Sequence, residues 1–369
     1  FVTPDVTRLA LRMAQLTILP EYIKRVDLLI SELTFSYRFC NPNFAFRESL
    51  AADNRLCEAL FCDNPARFED EPYRRKLYIV SHRLQQNLAV AEAHAEGRQP
   101  PESPGAYADE SGFLRDLKLI AASLRSHGDA AAANGGLLDL INLGETFGFY
   151  LSRLDVRQES AVHSAAVAEI LRLTGDCDNY ADLSDEDQLA LLERVISQGP
   201  GQPLLRDNLS EESRRVVEVF DVIAEAKRSI SPKAIGQYVI SMTHQASHIM
   251  EVAFLGSLSG LIEKQGEEWR CLLEISPLFE TIDDLRRSDA ILEALFSNPC
   301  YRALVEASDN RQEVMLGYSD SAKDGGIMAS AWHLYQTQKR IIALAERHGI
   351  RCRLFHGRGG TVGLSLIHI

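Results

Sequence analysis

The sequence predicts a mainly helical protein whose second part alternates strands and helices around a parallel sheet. In the residues before about 148, apolar side chains recur mostly at helical spacing. From about Gly148 onward, short β-rich runs that end in polar residues alternate with long helical stretches. Such alternation implies parallel strands joined by right-handed crossovers. The second part is therefore either an open doubly wound sheet or a (β/α) barrel.

The first 140 residues are predicted to be helical. The segment Thr3-Pro4-Asp5 is a helix start, since it supplies a capping side chain and a proline for the first turn. An apolar pattern follows until Pro20, which is expected to interrupt the helix, and resumes over 23–33. A long amphipathic helix is predicted within 69–97, and the prolines of 98–110 predict an exposed loop.

The second part contains five predicted strands separated by helices. The predicted strands are 149–156, 238–242, 275–279, 314–318 and 353–355. The predicted helices are 160–174, 185–197, 210–229, 245–264, 281–297 and 322–348. Polar residues cluster where the strands end: Arg157, Gln158, Thr243, His244, Glu280, Ser319, Asp320, His356 and Arg358. This is the edge on which α/β barrels place their active sites.

Charge and cysteine content narrow the functional classes. The chain has 52 Asp and Glu against 39 Lys and Arg, a net charge of −13, which disfavours binding to nucleic acid or anionic lipid. No apolar run approaches the roughly 18 residues of a membrane span. The 7 cysteines are scattered and never form a C-x-x-C pair, which argues against disulfides or structural zinc and favours a reducing cytosol.

Glu280 and Asp320 are candidate metal ligands because they follow neighbouring predicted strands. Mg²⁺ typically takes one or two protein carboxylates and leaves positions for substrate oxygens. The alternative is that Glu280 caps the helix that begins at Thr281, with Asp283 and Asp284 favouring the positive end of its dipole. Both interpretations stay open at this point.

The segment around Gly317 differs from a phosphate-binding P-loop. Ala322 and Asp324 stand where that pattern requires a second glycine and a hydroxyl residue. Lys323 is predicted at the start of a helix, where the dipole disfavours a cation, so it is either a ligand for an anion or a solvated lysine.

The segment 354–363 is a strand that runs into a glycine-rich turn. Its backbone N–H groups and the planar fork of Arg358 could hold phosphate or carboxylate. The turn does not fit the dinucleotide pattern, because Val362 occupies the place of the third glycine. His356 is either catalytic or a buried histidine that donates to a carbonyl.

Two further pairs of residues could bind ligands. Arg153 and Arg157 share one face of a predicted strand with Asp155, so they form either a structural salt bridge or a phosphate contact. His244 and His248 have the spacing of helical zinc ligands, but Gln245 replaces the catalytic glutamate of that motif. We interpret both histidines as non-metal residues.

Four motifs, taken in order, closely resemble the phosphoenolpyruvate carboxylase family. They are Arg-Leu-Asp-Val-Arg-Gln-Glu-Ser at 153–160, Pro-Leu-Phe-Glu-Thr-Ile-Asp-Asp-Leu at 277–285, Gly-Tyr-Ser-Asp-Ser-Ala-Lys-Asp at 317–324 and Phe-His-Gly-Arg-Gly-Gly-Thr-Val-Gly at 355–363. The resemblance extends from the first helices, including Glu-Pro-Tyr-Arg-Arg-Lys-Leu at 71–77, to Gly363. Four long motifs in register are more specific than any one of them.

The resemblance implies a fold, a reaction and a site. It implies a mainly helical protein around a partial (β/α)8 barrel: a helical region 1–147, the first part of the barrel at 148–363, and an aberrant or truncated tail 364–369. It implies a cytoplasmic, homotetrameric enzyme that converts phosphoenolpyruvate and bicarbonate into oxaloacetate and phosphate with Mg²⁺ or Mn²⁺. The implied metal ligands are Glu280 and Asp320, and the implied catalytic residues are His356, Arg358, Lys323 and Arg157.

The sequence also departs from the family pattern. An upstream motif with an essential histidine is absent, and Leu364 replaces an expected arginine, so we expect an incomplete fragment that is inactive by itself. His248 stands where the family usually has an aspartate. The alternatives are a non-catalytic barrel scaffold and another Mg²⁺-dependent barrel enzyme acting on phosphoenolpyruvate or pyruvate.

Overall fold

The computed structural model describes residues 3–356, apart from the side chains of Glu58, Ala59 and Ser319. The chain forms two compact units. Each unit consists of two segments of the chain. Unit 1 contains the residues up to Arg153 together with Glu225–Ala234, and unit 2 contains Leu154–Ala224 together with the residues from Ile235 onward.

The N-terminal part of unit 1 is helical, as predicted. Its helices are α1 Pro4–Glu32, α2 Phe44–Ala52, α3 Asn54–Leu60, α4 Pro72–Ala95, α5 Glu110–Ser126, α6 Ala130–Ala133 and α7 Gly136–Phe147. Thr3 caps α1, because its side chain accepts a hydrogen bond from the Val6 N–H. The predicted amphipathic segment 69–97 is confirmed as α4, and the predicted loop contains neither helix nor strand before α5 begins.

The expected break at Pro20 is wrong, since α1 continues through it as one 29-residue helix. A proline inside a helix removes one backbone hydrogen bond and crowds the preceding turn. Here Leu19, Tyr22 and Val26 are all buried in the core that α1 shares with α4. Burial on both sides of Pro20 offsets the local cost, which the sequence pattern alone did not reveal.

The rest of the chain alternates helices and strands. The strands are β1 Leu154–Glu159, β2 Ile235–Ser241, β3 Ile262–Gln265, β4 Glu268–Cys271, β5 Glu274–Phe279, β6 Arg311–Leu316 and β7 Arg351–His356. The helices are α8 Ser160–Leu173, α9 Asp185–Gln198, α10 Glu211–Ser229, α11 Ser247–Ser257, α12 Ile282–Ser297, α13 Pro299–Ala307, α14 Ser319–Gly325 and α15 Ile327–Arg347. Short 3₁₀ turns lie at Tyr180–Asp182 and Arg206–Asn208.

The predicted parallel sheet is confirmed. Among the described residues, five strands pair in the order β1-β2-β5-β6-β7, and all of these pairings are parallel. Every residue of β2 is buried, whereas β1 and β7, at the two ends of this order, alternate exposed with partly buried residues. Because the strands are parallel, their carboxyl ends lie at one edge of the sheet.

β2 and β6 each begin three residues earlier than predicted, and three other predicted elements differ more from the structure. β1 begins at Leu154 rather than at 149, after Leu151 adopts a left-handed φ of 61°. The predicted helix 245–264 ends at Ser257, and an antiparallel hairpin of β3 and β4 follows it. The predicted helix 322–348 is two helices separated at Gly326, whose φ of 79° is incompatible with a continuous helix.

No helix in the described part of the chain could span a membrane.

Candidate active site

The carboxyl edge of the sheet gathers the polar residues that the sequence placed at strand ends. Arg157 and Glu159 pair with Val239 and Ser241 of β2, so the ends of β1 and β2 are in register. β5 ends at Phe279, immediately before Glu280, and Phe279 pairs with Leu316 at the end of β6. Consecutive strands of the sheet therefore present functional side chains at one edge.

Arg157 and Glu280 form an ion pair between β1 and the end of β5. The Arg157 Nη2 donates to Glu280 Oε1 at 2.5 Å, and the Arg157 Nε donates to the Ser241 hydroxyl at 3.1 Å. The Arg157 side chain is 50% exposed, whereas that of Glu280 is 8% exposed. The guanidinium is thus oriented by two partners while half of the side-chain surface remains exposed.

The second oxygen of Glu280 is held by the backbone after β2. The Met242 N–H donates to Glu280 Oε2 at 3.1 Å. Met242 has a left-handed φ of 54°, which is uncommon for a residue other than glycine. Neither Met242 nor Ser241 was identified from the sequence, because no sequence signal marks a methionine for that conformation. Glu280 is not the cap of α12, so that alternative is wrong.

Gly317 allows β6 to end close to Glu280. Its N–H donates to the Phe279 carbonyl at 2.7 Å. A Cβ on Gly317 would lie 2.8 Å from the Cα of Glu280, closer than side-chain carbons approach backbone atoms. A larger residue at this position would therefore push the two strand ends apart.

Asp320 and Lys323 lie on α14, directly after β6. The Lys323 Nζ donates to Asp320 Oδ1 at 3.2 Å, and both side chains are more than half exposed. Lys323 lies in the last turn of α14 rather than at its start, so the expected unfavourable position is wrong, and the dipole favours its charge. Asp324 accepts a hydrogen bond from the Ile282 N–H at 3.0 Å and so links α14 to the start of α12.

His244 pairs with a buried carboxylate at the same edge. Its Nδ1 lies 2.6 Å from Asp284 Oδ1, and Asp284 is fully buried. Asp284 also accepts from the Thr281 N–H, and the Thr281 hydroxyl accepts from the Asp284 N–H, so these two residues form a capping box for α12. Burial lowers the pKa of the neighbouring His248 to about 4, so that ring is neutral near pH 7.

The other residues predicted for the site are His356, Arg358 and Arg153. His356 is the last residue of β7, pairs with Leu316 and is exposed. Arg358 lies outside the described residues. Asp155 accepts from the Gln237 N–H at 2.8 Å, and Arg157 pairs with Glu280 rather than with Asp155 or Glu159. Arg153 precedes β1.

The carboxylates at this edge are hard oxygen donors. Glu280 and Asp320 follow adjacent strands, and Asp320 is open to solvent. Mg²⁺ needs only one or two protein carboxylates when substrate and water supply its other ligands, and carboxylate oxygens are the donors that it prefers. Within residues 3–356, no group of three or more His, Cys, Asp or Glu side chains is arranged to hold a metal by itself.

The fold and this edge define an α/β protein with charged and polar side chains at the carboxyl ends of parallel strands. Comparison with known proteins identifies its family. The sequence profile of phosphoenolpyruvate carboxylase matches residues 1–364. The chain therefore belongs to the phosphoenolpyruvate carboxylase family, and the resemblance seen in the motifs is confirmed.

Curated relatives support the same assignment over nearly the whole chain. Phosphoenolpyruvate carboxylase of Mycobacterium leprae is 40% identical over 98% of this chain and 38% of its own length. The corresponding proteins of Mycobacterium avium and Nocardia farcinica are 40% and 39% identical, again over 98% of this chain. The chain thus spans less than two fifths of the length of these relatives.

Proposed function

We propose that this chain forms part of a phosphoenolpyruvate carboxylase. The reaction joins phosphoenolpyruvate and bicarbonate to give oxaloacetate and phosphate. Phosphoryl transfer to bicarbonate yields carboxyphosphate and the enolate of pyruvate, and C3 of the enolate then bonds to the carbon of the CO₂ released from carboxyphosphate. Phosphate leaves as the second product.

The observation that carries this proposal is the oriented Arg157 guanidinium at the carboxyl edge. The carboxylate of Glu280 and the hydroxyl of Ser241 hold it, while half of the side chain stays exposed. Both phosphoenolpyruvate and bicarbonate are anions, and an arginine held in place in this way recognises phosphate or carboxylate by a bidentate contact. Family membership gives this geometry its chemical interpretation.

Each of the predicted catalytic residues has a proposed role. Arg157 and Arg358 bind anionic oxygens of the substrates, and Lys323 adds a cation on α14 that can move between Asp320 and a bound anion. His356, at the end of β7, would hold or release a proton beside the reacting groups. Fixed cations stabilise the enolate and the transferring phosphoryl group because negative charge develops on both.

We assign Glu280 and Asp320 as ligands of a Mg²⁺ or Mn²⁺ ion. Glu280 is oriented by Arg157 and by the Met242 N–H, and Asp320 is the exposed carboxylate on α14, which follows the adjacent strand β6. When bound, a divalent ion polarises phosphoryl and enolate oxygens as a Lewis acid. The exposed Asp320–Lys323 pair exchanges partners at little cost, because exposed ion pairs are weak.

The proposal also covers the barrel fold and the assembly of the longer protein. We propose that the five parallel strands are part of a (β/α)8 barrel in a protein of full family length. We also propose that this protein is a cytoplasmic homotetramer. The parallel pairing of the five strands and the polar side chains at their carboxyl ends support the barrel interpretation.

The test is a coupled assay on a protein of full family length that carries this sequence. Oxaloacetate formed from phosphoenolpyruvate, bicarbonate and Mg²⁺ would be reduced by malate dehydrogenase, and NADH consumption would be followed. We expect turnover that requires all three components. A folded protein that binds phosphoenolpyruvate but forms neither oxaloacetate nor phosphate would overturn the proposal and favour a non-catalytic scaffold.

A further inference from the structure

The turn that follows β2 carries the N–H group that holds one oxygen of Glu280. Met242 comes directly after β2, and its N–H donates to Glu280 Oε2 at 3.1 Å. Its φ of 54° lies in the left-handed region, which is unfavourable for a residue with a Cβ atom. Such a conformation persists only where the surrounding contacts fix it. The contacts of this turn therefore determine how Glu280 is held.

Hydrogen bonds to neighbouring groups hold the start of the turn. The Met242 carbonyl accepts from the Ser160 hydroxyl of α8 at 2.7 Å. The Thr243 hydroxyl donates to the Ile240 carbonyl of β2 at 2.9 Å. The Thr243 N–H donates to the Leu278 carbonyl of β5 at 3.4 Å, which is long for a hydrogen bond. These bonds fix the turn on α8 and β2, but they tie it only weakly to β5.

His244 supplies a strong contact between the turn and α12. Its Nδ1 lies 2.6 Å from Asp284 Oδ1. A carboxylate can only accept, so Nδ1 carries the hydrogen and donates it. Arg287 lies 3.8 Å from the same oxygen, so among the described residues His244 is its closer partner. Hydrogen bonds to charged groups are shorter and stronger than those between neutral groups, which makes this bond the firmest link from the turn to the segment after β5.

Asp284 is a fixed anchor at the beginning of α12. Its side chain is fully buried, and its Oδ2 accepts from the Thr281 N–H at 3.1 Å. The Thr281 hydroxyl accepts from the Asp284 N–H in return, so these two residues form the capping box of α12. Thr281 is the residue directly after Glu280. His244 therefore attaches the turn after β2 to the same capping box to which the backbone of Glu280 is joined.

We infer that His244 is a positioning residue of the candidate active site. Its bond to Asp284 holds the turn after β2 against the start of α12, and this keeps the Met242 N–H on Glu280 Oε2. That N–H and the guanidinium of Arg157 together orient the Glu280 carboxylate. His244 thus acts through Glu280, and no contact with substrate is assigned to it. Its consequence for turnover rests on the proposed function, whereas its effect on the turn does not.

Hydrogen–deuterium exchange of the Met242 amide tests this inference in a protein of full family length that carries this sequence. Overlapping peptides isolate that amide in the mass spectrum. His244→Leu removes the donor to Asp284, His244→Asn keeps a donor nitrogen at the position of Nδ1, and His244→Gln places one nearer the position of Nε2. We expect the Met242 amide to exchange about tenfold faster than in the parent, or more, for His244→Leu and His244→Gln. For His244→Asn, the rate should stay within about threefold of the parent.

Tyr301→Phe is the matched control for a general loss of stability. This variant removes the hydrogen bond of 2.7 Å from the Tyr301 hydroxyl to the buried Gln312, near the start of β6. We expect it to leave the Met242 amide protected, because it does not touch the turn after β2. In the coupled assay, kcat/KM should fall with His244→Leu and recover with His244→Asn.

Four results would overturn the inference. They are protection of the Met242 amide in His244→Leu, protection restored by His244→Gln rather than by His244→Asn, equally faster exchange throughout β5 and α12, and an unchanged kcat/KM in a variant whose Met242 amide is released. If the parent forms no oxaloacetate, the proposed function fails, but the exchange rates still decide whether His244 positions the turn.

Discussion

Unit 1 and unit 2 each contain a cluster of paired charges, but the two clusters differ in exposure. In unit 1, the Lys76 Nζ contacts Asp53 at 2.6 Å and Asp116 at 2.8 Å, and Arg83 contacts the same two carboxylates. Lys76 is 1% exposed, so its charge is satisfied entirely within the protein. Lys76 donates its remaining hydrogen bond to the Ser49 hydroxyl. All three N–H donors of Lys76 are thus used within the protein, and we call this cluster closed.

In unit 2, the cluster at the sheet edge is open. Arg157 is half exposed although it is paired with the buried Glu280, and Asp320 and Lys323 are exposed more than that. A closed network contributes to stability because breaking it leaves buried charges without partners. An open network contributes little to stability, and its charges remain available to bind substrate. Burial, rather than the number of ion pairs, thus separates a cluster whose charges are satisfied within the protein from one whose charges could still bind a ligand.

The largest effect on stability is expected for a substitution that breaks the closed cluster. Lys76→Met should lower the free energy of unfolding by about 3–5 kcal/mol, because Asp53 and Asp116 would then share only Arg83 in a buried environment. Urea denaturation of the chain measures this change. The matched control is Lys118→Met, which removes an exposed pair with Glu145 in the same unit and should cost less than about 1 kcal/mol. Equal losses for the two variants would contradict the distinction based on burial.

A buried carboxylate that accepts hydrogen bonds only from hydroxyl groups provides a second test of how burial affects a charged group. Glu251 in unit 2 accepts from Tyr180 at 3.0 Å and from Ser164 at 2.8 Å, and burial raises its pKa from 4.5 to about 7. A raised acid pKa means that its contribution to stability is complete below pH 4.5 and is lost as the pH rises through 7. Glu251→Gln should therefore gain roughly 1–3 kcal/mol of stability relative to the parent between about pH 5 and pH 8.

The comparison between variant and parent at each pH matters, because two buried histidines also titrate. Burial lowers the pKa of His163 to about 3 and that of His248 to about 4, so their contribution to stability is lost as the pH falls below 6.5. They act equally in both proteins, and the difference in unfolding free energy isolates Glu251. A difference that does not change with pH would show that Glu251 is ionised throughout.

A smaller effect is expected for a carboxylate of the open cluster. In a protein of full family length, Asp320→Asn should weaken Mn²⁺ binding and lower kcat/KM about tenfold or more, because it removes a charge while nearly preserving shape. Stability should hardly change, since Asp320 is exposed. Metal titration and the coupled assay measure the two effects. Normal metal affinity and turnover in this variant would remove Asp320 from the site.

A small change in stability is also expected for Arg157→Lys. Lysine can still contact Glu280, but it cannot bond Glu280 and Ser241 at once through a planar fork. The free energy of unfolding should change by less than about 1 kcal/mol, whereas turnover in the longer protein should fall clearly. Thermal unfolding and the carboxylation assay give the two values. A large loss of stability would place Arg157 among the structural charges instead.

Much of the local structure was predictable from the sequence. The capped start at Thr3, the amphipathic α4, the loop before α5 and the parallel pairing of the strands all follow from capping, proline content and the alternation of strands with helices. These signals act within a few residues, because helical and strand hydrogen bonds and turn conformations depend on near neighbours. The four family motifs were equally visible, since they are contiguous in the sequence.

Tertiary structure decided which distant residues meet. Arg157 could have paired with Asp155 or Glu159, yet it bonds Glu280, 123 positions further along the chain. Tertiary packing also keeps α1 helical through Pro20. In the sheet, it brings the Met242 N–H to the carboxylate of Glu280. Partners that are far apart in sequence are selected when crossovers align the strand ends, and burial then sets how strongly each charge interacts. The sequence pattern indicates which residues are candidates for the site, but only the folded sheet determines which of them interact with each other.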